Sequence, residues 1–191
     1  EYLDSAEVGL RTSGLEGRLS GSVAVFWMER RDQQVESSTQ LVLGDPLSFV
    51  YFTDNAARGR NRGVEAALDW RLTPRWSLGG SGGCLRAAHR KCRDAGRALA
   101  GREQPHAPEH QYALYSDYRH PRGWFARLDV AARDAFYFSA SHDERSRPYT
   151  LTNIKLGLAT RSTTVELWAR NLFDVEYSQR GFFFGNEPPD F

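Results

Sequence analysis

Two cysteines bracket a basic stretch in 84-CLRAAHRKC-92. In an oxidising compartment Cys84 and Cys92 are close enough in sequence to close a small disulfide loop. The competing reading puts Cys84 on a strand with its thiol turned away. His89 would complete a Cys–His–Cys set, but that spacing matches no recognised zinc pattern. The basic run Arg86, His89, Arg90, Lys91, Arg93 and Arg97 suits an anion or lipopolysaccharide phosphates, or is simply a solvated loop. Arg58, Arg60 and Arg62 lie near an expected loop–strand junction. That position makes them candidate contacts for an anionic ligand in a vestibule, or counter-charges for acids such as Glu65. His106, His110, His120 and His142 are scattered. A pair of them can ligate a haem iron, although an exposed loop histidine is the commoner outcome. The run Phe182, Phe183 and Phe184 can touch a ligand or cap a rim.

Enzyme chemistry finds little support. No motif joins a Ser, a His and an Asp into a nucleophile and base. The stretch 79-GGSGG-83 lies in a strand pattern, where glycine marks a bend or close packing rather than a phosphate loop. The net charge of +1 gives no electrostatic footprint for nucleic acid. The reading is therefore a non-enzyme with no cofactor and no resident metal.

Elements that could position these residues are read from periodicity. Alternation of apolar and polar residues recurs along the chain. In 64-VEAALDWRL-72, Val64, Ala66, Leu68, Trp70 and Leu72 share one face, and Glu65, Asp69 and Arg71 the other. In 124-WFARLDVAAR-133, Trp124, Ala126, Leu128, Val130 and Ala132 oppose Arg127, Asp129 and Arg133. Similar runs begin near 5, 19, 77, 111, 149 and 163, which makes about eight strands. Connections alternate in length. Short ones fall at 12–17, 73–76, 120–123 and 160–163; long ones fall at 35–59, 87–107 and 138–148, and a last one opens near 180. Tight turns on one rim and long loops on the other describe an outer-membrane barrel. Trp70, Trp76, Trp124 and Tyr137 near strand ends suit interfacial girdles. No stretch approaches the roughly 20 apolar residues of a membrane helix. A mean hydropathy of −0.58 beside 24 aromatic residues also fits a wall with one wet face. The expected fold is all-β: an antiparallel transmembrane barrel segment of about eight meander strands. A complete small eight-stranded outer-membrane barrel, adhesive or structural, and a soluble ligand-binding β-barrel remain as alternatives.

Four motifs then carry a resemblance. They are 171-NLFDVEY-177, 59-GRNRGVEAAL-68, 105-PHAPEHQYAL-114 and 149-YTLTNIKLG-157. Together, in this order, they resemble the C-terminal barrel region of TonB-dependent outer-membrane receptors, over essentially the whole chain. Asn171, Leu172, Phe173, Asp174 and Tyr177 resemble the family's usual ending of its penultimate strand, and their role is taken as structural. The resemblance implies a 22-stranded barrel with an N-terminal plug, in the bacterial outer membrane. It implies lipid around the wall, TonB acting through the plug, and a small-molecule ligand, commonly a ferric siderophore. Nothing here resembles the plug. Residue 1 is Glu and the only Met is Met28, so the true amino terminus is expected to lie upstream or to have been removed. Pro188 and Pro189 make 186-NEPPDF-191 a poor closing strand. The reading expects the chain to stop inside the last extracellular loop, one strand short.

Overall fold

The computed structural model describes residues 1–42, 45–91, 93–94, 97–98, 101–139 and 143–181. Ten strands form in chain order: β1 (Tyr2–Gly14), β2 (Leu19–Gln40), β3 (Phe49–Thr73), β4 (Trp76–Lys91), β5 (Arg93–Asp94), β6 (Arg97–Ala98), β7 (His110–Arg119), β8 (Trp124–Arg133), β9 (Tyr149–Ala159) and β10 (Thr164–Ala169). Eight of them make one antiparallel meander in the order β1-β2-β3-β4-β7-β8-β9-β10, while β5 and β6 pair only with each other. The sheet is open, with β1 and β10 at its edges.

The short turns follow from local chemistry. Between β7 and β8, Gly123 takes a left-handed φ of +92° and donates to the His120 carbonyl at 2.9 Å. Between β1 and β2, Gly17 and Arg18 close back on Gly14 and Leu15, each at 3.1 Å. These turns lie at one end of the sheet.

The other end departs from the sequence reading. The connection expected at 35–59 is largely strand: β2 runs to Gln40, and β3 starts at Phe49. The single-turn 3-10 segment Pro46–Ser48 caps this hairpin. Asp45 Oδ1 accepts from Leu47 N at 2.9 Å, an Asx turn that reverses the chain. Register shifts between Arg30 and Val35, with Asp32 at φ 53°, explain the misreading. A bulge inserts a residue and breaks the period of two. β4 likewise extends to Lys91, and β5–β6 occupy part of the expected 87–107 loop.

Register assigns the faces, since directly opposed residues share a side. One face carries Val8, Val25, Val64 and Cys84, then Ala66 and Gly82, Leu68 and Gly80, Trp70 and Leu78. It continues through Leu114, Val130, Leu128, Ile154, Leu156 and Leu167. The opposite face carries Glu7, Arg11, Glu65, Asp69, Asp117, Arg127, Asp129 and Lys155. That polar face encloses a trough of about 1050 Å³ reaching from Glu7 on β1 to Leu151 on β9.

The apolar face covers nothing. Val8 is 79% exposed, Leu167 74% and Leu114 52%. Among the described residues the buried apolar side chains are Ala87, Phe125 and Phe136. A water-soluble domain hides such a surface in its core. Here the core is absent and the apolar belt faces outward. On β3 and β8 the belt runs about nine residues, from Val64 to Leu72 and from Trp124 to Ala132, the length a tilted strand needs to cross the hydrocarbon.

Candidate functional site

Three groups of residues stand out from this frame: a polar chain on the trough wall, a clasp between two long connections, and the turn after β10.

The polar chain begins with Asp69 on β3. Its Oδ1 accepts from the Tyr115 hydroxyl on β7 at 2.6 Å. The two strands are not neighbours; β4 lies between them. Gly79 on β4 makes the reach possible, because a Cβ there would fall 2.6 Å from Asp69 Oδ1 and collide with the Tyr115 ring. Arg127 on β8 lies over that ring at 4.7 Å and grips Asp129, Nη2 to Oδ1 at 2.7 Å. Lys155 Nζ and Glu166 Oε2 lie 3.4 Å apart on β9 and β10. Along this chain from Asp69 to Glu166 the charged groups are paired with polar or charged neighbours.

The clasp joins the connection 101–109 to the connection 134–148. Arg145 donates to Glu103 Oε2 at 2.9 Å, and Arg102 to Asp143 Oδ1 at 2.7 Å. The two guanidiniums stand 4.5 Å and 4.4 Å from the Tyr137 ring centroid. Phe136 beneath is 1% exposed, with the His106 ring 5.4 Å and the Phe138 ring 5.6 Å away. Ser146 Oγ accepts from Phe136 N at 3.0 Å, which satisfies a buried donor. His106 N donates to the Tyr137 carbonyl at 2.9 Å. Each named arginine has a carboxylate, so the clasp balances its own charge. Its chemistry is that of an aromatic surface flanked by paired charges. Tyr137, expected as a girdle residue, belongs to this clasp instead. Its strand had ended at Arg133, so its ring meets arginines rather than lipid.

The three tryptophans expected as girdle residues gather at the short-turn end. Trp76 donates Nε1–H to Ser116 Oγ at 2.9 Å, and the His120 ring stacks on Trp124 at 4.5 Å and 13°. Trp70, Trp76 and Trp124 lie on the apolar face.

After β10, Asn171 adopts φ 49° and Asp174 φ 51°. Asn171 holds the turn with both ends of its amide: Oδ1 accepts from Val175 N at 3.0 Å, and Nδ2 donates to the Val175 carbonyl at 3.0 Å. Its own N–H donates to Asn153 Oδ1 at 2.9 Å, and Leu172 N donates to the Thr152 carbonyl at 2.8 Å. Tyr177 packs on Tyr149, ring centroids 4.6 Å apart. Leu172 and Phe173 are exposed. The motif thereby ties the chain after β10 back onto β9.

The arginines sort differently from expectation. Arg62 lies opposite Trp27 and Arg86, and Arg60 opposite Glu29 and Ala88. Both sit on the apolar, outward side of the sheet and not on the trough wall. Arg58 continues the strand beside a register shift. Continued alternation past Val64 carries them outward, a consequence that residue type alone conceals. Arg31, above the belt on β2, pairs with Asp4, whose hydrogen bond and charge raise its pKa.

Cys84 is an exposed thiol on the outward side, its Sγ 3.2 Å from His110 Nδ1. Cys92, the partner suggested by sequence spacing, lies outside the described residues, as do His142 and Phe182–Phe184; the side chain of His89 also lies outside them. Among the described residues no three His, Cys, Asp or Glu side chains are grouped to hold a metal ion.

A family model described as TonB dependent receptor-like, beta-barrel matches residues 1–172. The chain belongs to the TonB-dependent receptor β-barrel family. Solved structures agree on the fold. The ferric yersiniabactin uptake receptor FyuA from Yersinia pestis superposes with a TM-score of 0.76 at 22% identity, over 96% of this chain and 27% of that one. The siderophore receptor PiuA from Acinetobacter baumannii gives 0.73 at 17% identity, over 92% and 25%. The copper transporter OprC gives 0.69 at 16% identity, over 92% and 26%. The chain spans about a quarter of the length of each. Relatives in this family are transport receptors of the outer membrane. In outer-membrane barrels of this kind short turns face the periplasm and long loops the outside.

Proposed function

We propose that this chain forms part of the wall of a TonB-dependent uptake receptor in the bacterial outer membrane. The ligand it helps to admit is a small molecule of the ferric siderophore class. TonB drives uptake through a plug carried by the rest of the polypeptide, and the wall does no covalent chemistry. The observation that carries the reading is the outward apolar belt on an open eight-stranded sheet whose long connections all leave one end. An open edge in lipid leaves backbone groups without partners, so the wall requires further strands to close. Siderophore receptors among the similar structures support the ligand class.

The test is deletion of the whole gene followed by uptake of iron-55 complexes of hydroxamate, catecholate and mixed siderophores. The expected outcome is loss of uptake for one class, abolished equally by a protonophore. Unchanged uptake of every class after deletion would contradict the ligand assignment. A native polypeptide near 21.7 kDa on an outer-membrane immunoblot would contradict the wall-segment reading.

A further inference from the structure

Three successive connections at the long-connection end converge on one ring, that of Phe138. The first, 101–109, is strapped to the end of β4. Gln104 N donates to the Ala87 carbonyl at 3.1 Å, and Leu85 N to the Glu109 carbonyl at 2.8 Å. The second, 134–148, folds back on itself. Ser146 N donates to the Phe136 carbonyl at 2.9 Å, and Phe138 N to the Glu144 carbonyl at 3.2 Å. The clasp joins these two. The third is the chain after β10. Tyr177 rests on Tyr149 at the start of β9, and four residues later Gly181 backs onto Phe138.

That last contact is tight. A Cβ on Gly181 would fall 2.7 Å from Phe138 Cδ2 and 2.8 Å from its Cγ, well inside the ordinary separation of non-bonded carbons. The ring has no free side to retreat to. Phe136 stands edge-on to it at 5.6 Å and 83°, and His106 of the first connection at 6.5 Å and 60°. Phe136 is 1% exposed, its N–H held by Ser146 Oγ and its ring covered by Arg133 at 5.8 Å. Close packing of this kind passes a displacement on rather than absorbing it.

We propose that Phe138 makes the three connections one cooperative body, with Gly181 as its latch. While Gly181 lies on the ring, the Phe136–Phe138–His106 cluster stays packed and the clasp above it stays shut. When the last segment lifts away, Phe138 loses the backbone that covers it. The cluster loosens, and the connection 101–109 is released although it is distant in sequence. Coupling of this kind runs both ways, so opening the clasp also frees the last segment. Whatever draws one of the three connections aside thereby moves all three. The coupling holds whichever ligand is transported, so it stands or falls separately from the proposed function.

The test uses the full-length protein in lipid nanodiscs, with hydrogen exchange read by mass spectrometry. Gly181→Leu forces the last segment off the ring. Exchange in 101–109 and in 134–139 is expected to rise about fivefold, the effect of losing one aromatic contact. The β2–β3 turn closes on itself, Leu41 N donating to the Ser48 carbonyl at 3.0 Å, and should keep its wild-type rate. Phe173→Ala, in the same segment but at a side chain 70% exposed, should change none of these rates. In the reverse direction, Glu103→Gln with Asp143→Asn removes the clasp's two carboxylates. Trypsin should then cut after Arg180 several-fold faster. Unchanged exchange in β7 and β8 checks that the sheet is intact. If the Leu variant does not assemble, Gly181→Ala adds the same Cβ at the least volume and is read in its place. Exchange that rises only beside residue 181, or cleavage after Arg180 at the wild-type rate in the clasp variant, overturns the coupling.

Discussion

At the scale of single residues, glycine and asparagine do work that larger or simpler side chains cannot. Gly79 clears the space through which Tyr115 reaches Asp69 across an intervening strand. Asn171 combines a left-handed backbone with two side-chain bonds to Val175. Asn171→Ala removes both bonds and leaves a Cβ in the left-handed region without compensation. The loss is expected at about 2–3 kcal/mol, read as a lowered urea midpoint of the full-length protein. The same residue was legible in the sequence as a turn former, because asparagine and aspartate bond nearby backbone. The side taken by Arg60 and Arg62 was not. Their spacing showed that they share a face, but only the register with Trp27 and Val64 showed which face.

At the scale of elements, hairpins with tight turns were readable from alternation, since Trp124, Ala126, Leu128, Val130 and Ala132, and Ile154, Leu156 and Leu158, recur at every second position. The upper half of β2 and β3 was not, because the bulge near Asp32 shifts the phase. The clasp was invisible for a different reason. Arg102, Tyr137 and Arg145 come from two connections whose crossing no local pattern encodes. Tyr137→Ala removes the ring that both guanidiniums flank. Each such contact contributes on the order of 0.5–1 kcal/mol at exposed sites. The variant should therefore open the loops to protease several-fold faster while the unfolding midpoint of the barrel stays within error. An unchanged cleavage rate would show that the ion pairs to Glu103 and Asp143 suffice to hold the connections.

At the scale of the whole molecule, the apolar surface that a water-soluble domain would bury lies on the outside of the sheet. Eight strands present their apolar residues outward and tie their charges together on the trough wall. Adjacent residues on β7 should then respond in opposite ways to one substitution. Leu114→Arg places a charge in the belt and is expected to destabilise by about 2–4 kcal/mol in a bilayer. Ala113→Arg, on the trough wall, should cost markedly less. The difference between the two, measured by urea unfolding in lipid vesicles, reports the side each residue takes.

The most direct test of the account is a nitroxide scan along β7 of the full-length protein in outer membranes, with Cys84 and Cys92 first replaced by Ser. Spin labels at 111 to 118 are read for collision with oxygen, which concentrates in lipid. The account predicts maxima at 112, 114, 116 and 118 and minima at 111, 113, 115 and 117. A scan without that period of two, or with its phase reversed, would contradict a transmembrane wall whose apolar face meets lipid.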